Sequence, residues 1–251
     1  MLTTQRKQFL LDLLQRDGQI NAKAVSIELD LSEDTIRRDL RELAAEGLLQ
    51  RVHGGALPAS AALGNFRQRA QIGTQDKGAL AQAALGLIKP GMIVLLDGGT
   101  TAVQLAQRLP HTLRLTVITH SPSVAVALVD HALADVVMLG GRLFKHSIVN
   151  MGATALEQLG PIRADLFFLG VTGVHAEQGL TTGDLEEAHM KRALMAHAAE
   201  TVVLASAEKI NAASPFRVAA LEEITTLIVP AATPDAALKA IARPGLDLLR
   251  S

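Results

Sequence analysis

Two patterns of apolar and polar positions divide the chain. Up to about residue 57, apolar residues recur at helical spacing in short blocks separated by polar breaks. Phe9, Leu10, Leu13 and Leu14 form one stripe, which Asp17-Gly18 ends. Asn21 is placed to cap a second helix carrying Val25 and Leu29 on one face. Ser32 is placed to cap a third, over residues 33–46, with Glu33 and Asp34 near its positive end and Gly47 closing it. Residues 48–52 then read as a short strand and Gly54-Gly55 as a hairpin turn. Three short helices followed by a hairpin outline a winged helix-turn-helix.

Residues 58–76 hold Pro58, small residues, Gly64 and a charged stretch with no apolar period, which predicts a linker. From Lys77 the text alternates. Apolar runs at 93–96, 115–118, 136–139, 166–171, 201–204 and 227–229 are separated by helical stretches such as 102–109, 123–128 and 185–199. Buried strands alternating with helices predict a mostly parallel sheet covered on both faces. The expected organisation is a helical reader over 1–57, a linker over 58–76 and an α/β domain over 77–251.

Composition narrows the function. Of 251 residues, 49% are hydrophobic and 20% charged, enough for packed cores and unlike a disordered chain. The 24 basic and 25 acidic residues rule out a strongly basic nucleic-acid coat but leave room for a local basic face. The absence of cysteine removes disulfides, thiolate metal sites and cysteine catalysis. With no Trp or Tyr and six Phe, base stacking on aromatic platforms is disfavoured. The histidines show no metal spacing; His189 and His197, for instance, lie eight apart. Neither metal nor cofactor is expected. No apolar run approaches a membrane span and residues 1–7 lack a signal core, so a cytoplasmic protein is expected.

The third helix carries the first candidate chemistry. Ile36, Leu40 and Leu43 fall on one side and should bury. Arg37 and Arg41 lie on a neighbouring face, and Arg38 nearly opposite the apolar stripe. Asp34 and Thr35 stand at the N-terminal end, where a recognition helix meets base edges, and arginine is the side chain best shaped for guanine. Arg51 and His53 on the hairpin are placed for phosphates or a minor groove. Charge alone does not decide this reading. Residues 1–57 hold eight Lys/Arg against nine Asp/Glu, and Asp39 and Glu42 could pair with the arginines on a plain solvated face. A helical dimerisation arm fits the same numbers.

The letters add more. Ser32-Glu33-Asp34-Thr35-Ile36-Arg37-Arg38-Asp39-Leu40, then Glu46-Gly47-Leu48-Leu49, then Arg51-Val52-His53-Gly54-Gly55-Ala56 closely resembles the N-terminal signature of the DeoR family of bacterial transcription regulators. The resemblance implies that the Thr35–Leu40 stretch lies on the recognition helix and that Arg51 to Ala56 closes the wing. It implies binding to double-stranded operator DNA, with Arg37 and Arg38 among the contacts. Ser32, Thr35, Arg41, Arg51 and His53 complete the candidate face. Asp39 would pair with an arginine rather than meet phosphates.

In the second part, Asp97-Gly98-Gly99-Thr100-Thr101 follows a strand and opens a helix. Glycines permit close backbone approach, and a helix N-terminus offers free N–H donors, which together suit a phosphate. An ordinary capped turn fits the same residues. Similar loops recur after other strands, at Thr119-His120-Ser121, at Gly140-Gly141-Arg142 and over 170–173. Such strand ends converge on one sheet edge, where ligands bind. Small, hydroxyl and basic residues there favour an anionic, hydroxylated ligand, and Lys209 adds a point charge. Taken singly, Lys209 and Arg142 read as surface charges. The candidate effector residues are Asp97, Gly98, Gly99, Thr100, Thr101, His120, Ser121, Gly141, Arg142, Gly173 and Lys209.

The DeoR resemblance continues through Phe66-x-x-Arg69, Lys77, the 97–101 loop, 116–121, Leu139-Gly140-Gly141, 165–170, Gly179-Leu180-Thr181-Thr182 and Glu208-Lys209. It implies a domain that resembles ribose-5-phosphate isomerase and senses a phosphorylated sugar or related metabolite. Two positions depart from the family pattern: His120 stands for the usual Asn and Ser206 for the usual Asp. Both are expected to border the ligand.

Two function classes follow: a repressor whose DNA affinity an effector sets, and a sugar-phosphate isomerase or transferase with an accessory helical domain. An isomerase needs a positioned acid/base group. The loop expected to hold it, 170–175, has no carboxylate, and the Lys-Gly-Gly-Gly stretch that follows it in the related isomerases reads Leu180-Thr181-Thr182-Gly183 here. Glu186 and Glu187 are expected on the exposed first turn of a helix. The regulator is therefore the favoured reading, without enzyme activity and as a homodimer or tetramer, since such readers use paired half-sites.

Overall fold

The computed structural model describes residues 2–251. The N-terminal unit comprises α1 (Thr3–Asp17), β1 (Ile20–Asn21), α2 (Ala22–Glu28), α3 (Glu33–Ala45), β2 (Leu49–Val52) and β3 (Gly55–Pro58). The caps fall where the sequence puts them. The Asn21 side chain accepts from Ala24 N at 3.0 Å, and Ser32 Oγ accepts from Thr35 N at 3.2 Å. Ile36, Leu40 and Leu43 bury against Leu10, Leu13, Leu14 and Leu49. The wing is one strand larger than expected, because β1 pairs with β3 in the order β1-β3-β2. Gly55 permits this pairing: a Cβ there would lie 1.7 Å from the Ile20 carbonyl oxygen.

The stretch expected as a linker is folded. It holds a 3-10 turn (Ala61–Leu63), α4 (Phe66–Ala70) and the start of α5 (Thr74–Leu85). Its anchors are local caps and backbone bonds rather than an apolar stripe. Asn65 Oδ1 accepts from Gln68 N, and Phe66 N donates to the His146 carbonyl at 2.9 Å.

The rest of the chain runs β4 (Ile93–Leu96), α6 (Thr100–Arg108), β5 (Leu115–Thr119), α7 (Pro122–Ala127), β6 (Ala134–Met138), β7 (Arg142–Phe144), β8 (Val149–Met151), α8 (Ala153–Leu159), β9 (Ala164–Leu169), β10 (Gly173–His175), β11 (Gly179–Thr182), α9 (Leu185–Ala196), β12 (Ala198–Leu204), β13 (Phe216–Ala219), β14 (Thr226–Val229), α10 (Asp235–Ile241) and β15 (Asp247–Arg250). Seven strands form one sheet in the order β15-β14-β12-β9-β4-β5-β6, and every neighbouring pair is parallel. Its apolar runs are buried on both sides. Val94, Leu96, Val117, Leu166, Phe168 and Val202 pack beneath α5, α6 and α7, while Leu95, Phe167, Leu169, Val203 and Leu227 pack against α8, α9 and α10. The chain enters the sheet at β4, runs outward to β6, then returns to β9 on the other side of β4. That reversal opens a crevice beyond the C-terminal ends of β4 and β9, where ligands bind in open parallel sheets. The seventh strand, β15, was not evident from hydrophobic pattern.

Candidate functional site

The outer side of α3 and the adjoining β2 form an exposed concavity lined by Ser32, Asp34, Thr35, Arg37, Arg38, Arg41 and Arg51. Asp34 stands in it, but Asp39, Glu42 and Glu46 are drawn towards α1. Asp39, 1% exposed, lies beneath the helix and is bound by Arg6 of α1, with Nη2 donating to Oδ1 at 3.1 Å. Glu42 and Glu46 engage Lys7 of α1 at 3.0 and 3.3 Å. Asp39 therefore does pair with an arginine, but Asp39 and Glu42 do not neutralise those of their own helix. Arg37 pairs with Glu33 at 2.6 Å. Among the described residues, no acidic side chain lies within ion-pair distance of Arg38, Arg41 or Arg51. His53 does not line that concavity but shares a neighbouring hollow with Arg37 and Arg51, and it also borders a cleft between the wing and the β10–β11 hairpin, across from His175, Glu177 and Gln178.

The second site is a cavity at the sheet's switch point. Gly98, Gly99, Thr100 and Thr101 bring the start of α6 to it; Thr172 and Thr182, Glu187 and Lys191 of α9, and Lys209 beyond β12 form further walls. Arg69, Ile72 and Lys77, from the segment expected as a linker, close it. Gly99 sits at φ 114°, a conformation that side chains rarely adopt, and so exposes the α6 N-terminus to the cavity.

Behind the wall, Asp97 ties the loops together. Its Oδ1 accepts from Gly98 N at 2.7 Å and His120 Nε2 at 2.8 Å, and its Oδ2 from Gly170 N at 2.9 Å and Lys191 Nζ at 2.6 Å. His120 Nδ1 meets the Asn150 carbonyl at 2.9 Å. Both ring nitrogens thus face acceptors, and both bonds form together only with a proton on each. Burial alone would push the Asp97 carboxyl up, but Lys191 and His120 outweigh it and hold the group well below the usual carboxylate range. Glu187 is also buried. It accepts from Thr182 Oγ1 at 2.6 Å and lies 3.8 Å from Lys191. Burial opposes its charge as well, yet Lys191 and Thr182 keep its pKa below the ordinary value. Burial likewise opposes the Lys191 ammonium, but Asp97 and Glu187 raise its pKa.

The remaining cations lack such partners. Lys209 is 7% exposed, forms no ion pair among the described residues, and reaches only the Leu204 carbonyl at 3.5 Å. Its neighbour Glu208 accepts instead from Ser206 Oγ at 2.6 Å. Burial pushes the Lys209 ammonium down to about 8; Glu208 opposes this, while Lys77, Arg69 and Lys191 repel it further. The Arg69 guanidinium donates to Ser147 Oγ at 3.2 Å, and its Nε is buried without a partner. Burial lowers the pKa of both Arg69 and Lys77.

The structure brings Gly98, Gly99, Thr100, Thr101 and Lys209 together on the cavity wall. It does not bring the other candidates there. Asp97, His120 and Ser121 are fully buried and hold the loops: Ser121 Oγ donates to the Ile148 carbonyl at 3.2 Å. Gly141 and Arg142 belong to the β6–β7 turn and the β7–β8 hairpin, with Arg142 exposed and paired in register with Met151. Gly173 lies in β10 opposite Thr181, where a Cβ would come within 2.4 Å of the Ala212 carbonyl oxygen. Ser206 is fully buried like His120, and neither of the two departures lines the cavity. Glu187 is buried instead of standing on an exposed first turn; only Glu186 is exposed. Arg69, Lys77, Thr182, Glu187 and Lys191 are wall residues that were not among the candidates. Glu187 and Lys191 carry a readable signal: they fall four apart, and Lys191 shares a stripe with Ala188 and Leu194. A lysine on an apolar stripe calls for a buried partner.

A winged helix-turn-helix with free outward arginines, joined to a parallel α/β domain with a cation-rich switch-point cavity, defines a DNA-binding regulator with a small-molecule sensor. Residues 6–61 match the model of the DeoR-like helix-turn-helix domain, and residues 73–230 that of the DeoR C terminal sensor domain. The chain belongs to the DeoR family of transcription regulators. It is similar to the HTH-type transcriptional regulator GlpR of Haloferax volcanii, 33% identical over 231 residues covering 91% of this chain and 90% of the relative. The HTH-type transcriptional repressor CsqR of Escherichia coli is 32% identical over 231 residues, covering 92% and 88%. Among solved structures, ribose 5-phosphate isomerase A of Methanocaldococcus jannaschii overlays on 54% of each chain at 20% identity and a TM-score of 0.41. Family membership makes this chain a regulator and not an isomerase. Among the described residues, no helix is long and apolar enough to cross a membrane.

Proposed function

We propose that this regulator represses a sugar-metabolism operon in the cytoplasm, and that a phosphorylated sugar or related metabolite in the switch-point cavity sets its affinity for operator DNA. The observation that carries the effector class is Lys209. A buried ammonium without a carboxylate is costly, and an arriving anion supplies the missing partner. It shares the cavity with the free N–H groups at the start of α6, which favour the same charge. Thr100, Thr101, Thr172 and Thr182 offer hydroxyls to a polyol, and Glu187 accepts from its hydroxyl groups. Asp97, His120 and Ser121 act as the scaffold behind these contacts.

On the DNA side, Arg38, Arg41 and Arg51 are the primary contacts, with Thr35 and Ser32 at the helix start. Arg37 joins them by exchanging Glu33 for DNA. Repression is supported by relatives named as repressors, including CsqR and GlcR of Bacillus subtilis. We take the assembly as a homodimer or tetramer, which lets two recognition helices read paired half-sites. The test is a fluorescence-anisotropy titration against the protein's own upstream promoter DNA, with and without a panel of sugar phosphates. The expected result is specific binding that one sugar phosphate weakens. Specific binding indifferent to every member of the panel removes the effector class, and no specific binding at low or moderate salt removes the DNA reader.

A further inference from the structure

The segment that leaves the wing is itself a wall of the sensor cavity. Directly after β3, Ala59 forms an isolated bridge with Ala213, and Ser60 Oγ donates to the Thr172 carbonyl. Ser60 is buried, and Thr172 lines the cavity. Ala62, Arg69 and Ile72 of the same segment line the cavity as well. The DNA-binding domain therefore hangs from a strip of chain that forms part of the cavity lining.

Two cations grip that strip. Lys77, at the cavity wall, donates from Nζ to the Arg69 carbonyl at 2.5 Å and to the Ile72 carbonyl, clamping the end of α4. Arg69 reaches inward from α4. Its Nη1 lies 3.9 Å from where a Cβ on Gly99 would stand, so the guanidinium faces the start of α6 across a short gap. Its buried Nε is unpartnered, and the carboxylates of Glu187 and Asp97 act on it only at a distance. A free donor edge opposite a ring of free backbone N–H groups is the arrangement an anion bridges.

We propose that Arg69 is the positioning residue that carries cavity occupancy to the DNA-binding domain: an anion held at the start of α6 closes onto its guanidinium, fixes α4, and so fixes the strip leading to the wing. The inference rests on the anion site of the proposed function and assigns its coupling. A second contact widens its reach. The wing faces the β10–β11 hairpin across a cleft, and that hairpin begins beside Thr172 and ends at Thr182, both at the cavity. The strip and the hairpin thus border the same ligand and the same wing.

Amide hydrogen exchange on the full-length protein, with saturating inorganic phosphate as the probe, tests this. In the wild type, exchange should slow by about fivefold or more in residues 97–101 and in residues 66–72. In Arg69→Met at saturating phosphate, 97–101 should stay slowed while 66–72 return to the unliganded rate. The phosphate-induced change in promoter affinity should fall by about threefold or more, and Arg69→Lys should recover part of it. Ser60→Ala, which cuts the strip's tie to the Thr172 carbonyl without removing a lining residue, should keep both protections and lose DNA response. Protection of 97–101 alone in the wild type overturns the coupling and leaves the anion site standing. So does an Arg69→Met protein that keeps both protections or loses both, or a Ser60→Ala protein with full response. Protection of neither segment in the wild type removes the anion site together with the coupling.

Discussion

On α3 and β2, Arg38, Arg41 and Arg51 stand in water with no acid within ion-pair distance among the described residues, and Asp39, Glu42 and Glu46 are drawn to Arg6 and Lys7 of α1. In the switch-point cavity, Lys209, Lys77 and Arg69 also stand without carboxylate partners, but they are largely removed from water. The same lack of neutralisation means different things in the two places. A hydrated arginine costs little to leave unpaired, and a face of them awaits a large polyanion that keeps its charge at the surface. A buried lysine without a partner destabilises the fold that holds it, which is tolerated where a ligand must supply the partner. Lys191 is the control within the cavity: equally buried, it is satisfied by Asp97 and Glu187 and belongs to the frame.

The largest effect should come from breaking that frame. Asp97→Asn leaves the Lys191 charge buried with one acid instead of two, and should lower stability by about 3–5 kcal/mol in urea unfolding. Lys209→Met should do the opposite. Removing the uncompensated charge should raise the stability of the unliganded protein by about 1–3 kcal/mol while ending its response to phosphate. The pH dependence has the matching sign. The Lys209 pKa is about 8 in the fold against 10.5 as the ordinary value, so between these the unfolded chain binds the extra proton. Stability of the unliganded protein should therefore rise as pH rises through this window. Lys77 adds in the same direction, and Lys209→Met should flatten the slope. Over the same window, phosphate should bind more weakly as pH rises, by up to about tenfold per unit.

Effects on the DNA face should be smaller and confined to binding. Arg38→Ala should cost about 1–3 kcal/mol of promoter affinity if it reads a base. Its thermal unfolding should move by no more than about 0.5 kcal/mol, since the side chain touches no acid in the fold. Smallest of all, Glu33→Gln releases Arg37 from an exposed pair and should change stability by about 0.5 kcal/mol or less. A large stability loss in either variant would mean that the two cation clusters do not differ as described.

Much of this was legible in the residues. Helix caps at Asn21 and Ser32, the buried stripe Ile36-Leu40-Leu43 and six of the seven parallel strands each leave a local mark, because periodicity and capping are local physics. β15 leaves none: Asp247 and Arg250 flank only two leucines at the sheet edge. The cavity was half legible. Loops at strand ends announced Gly98, Gly99, Thr100 and Thr101, but residue type could not separate a wall residue from one holding the wall. Asp97 and His120 are as polar as a ligand contact and are spent on Gly98, Gly170, Lys191 and Asn150. Arg69 was hidden because its segment has no apolar period. It is held by caps and by contacts with residues as distant as His146 and Thr172.

The most direct test of the account is reciprocity. The effect of one sugar phosphate on promoter affinity should be measured together with the effect of saturating promoter DNA on affinity for that sugar phosphate. If the cavity and the arginine face bias one equilibrium, the two factors must be equal. Equal factors well above one, abolished together by Lys209→Met, are the predicted result. Both factors equal to one for every sugar phosphate that binds the cavity would contradict it.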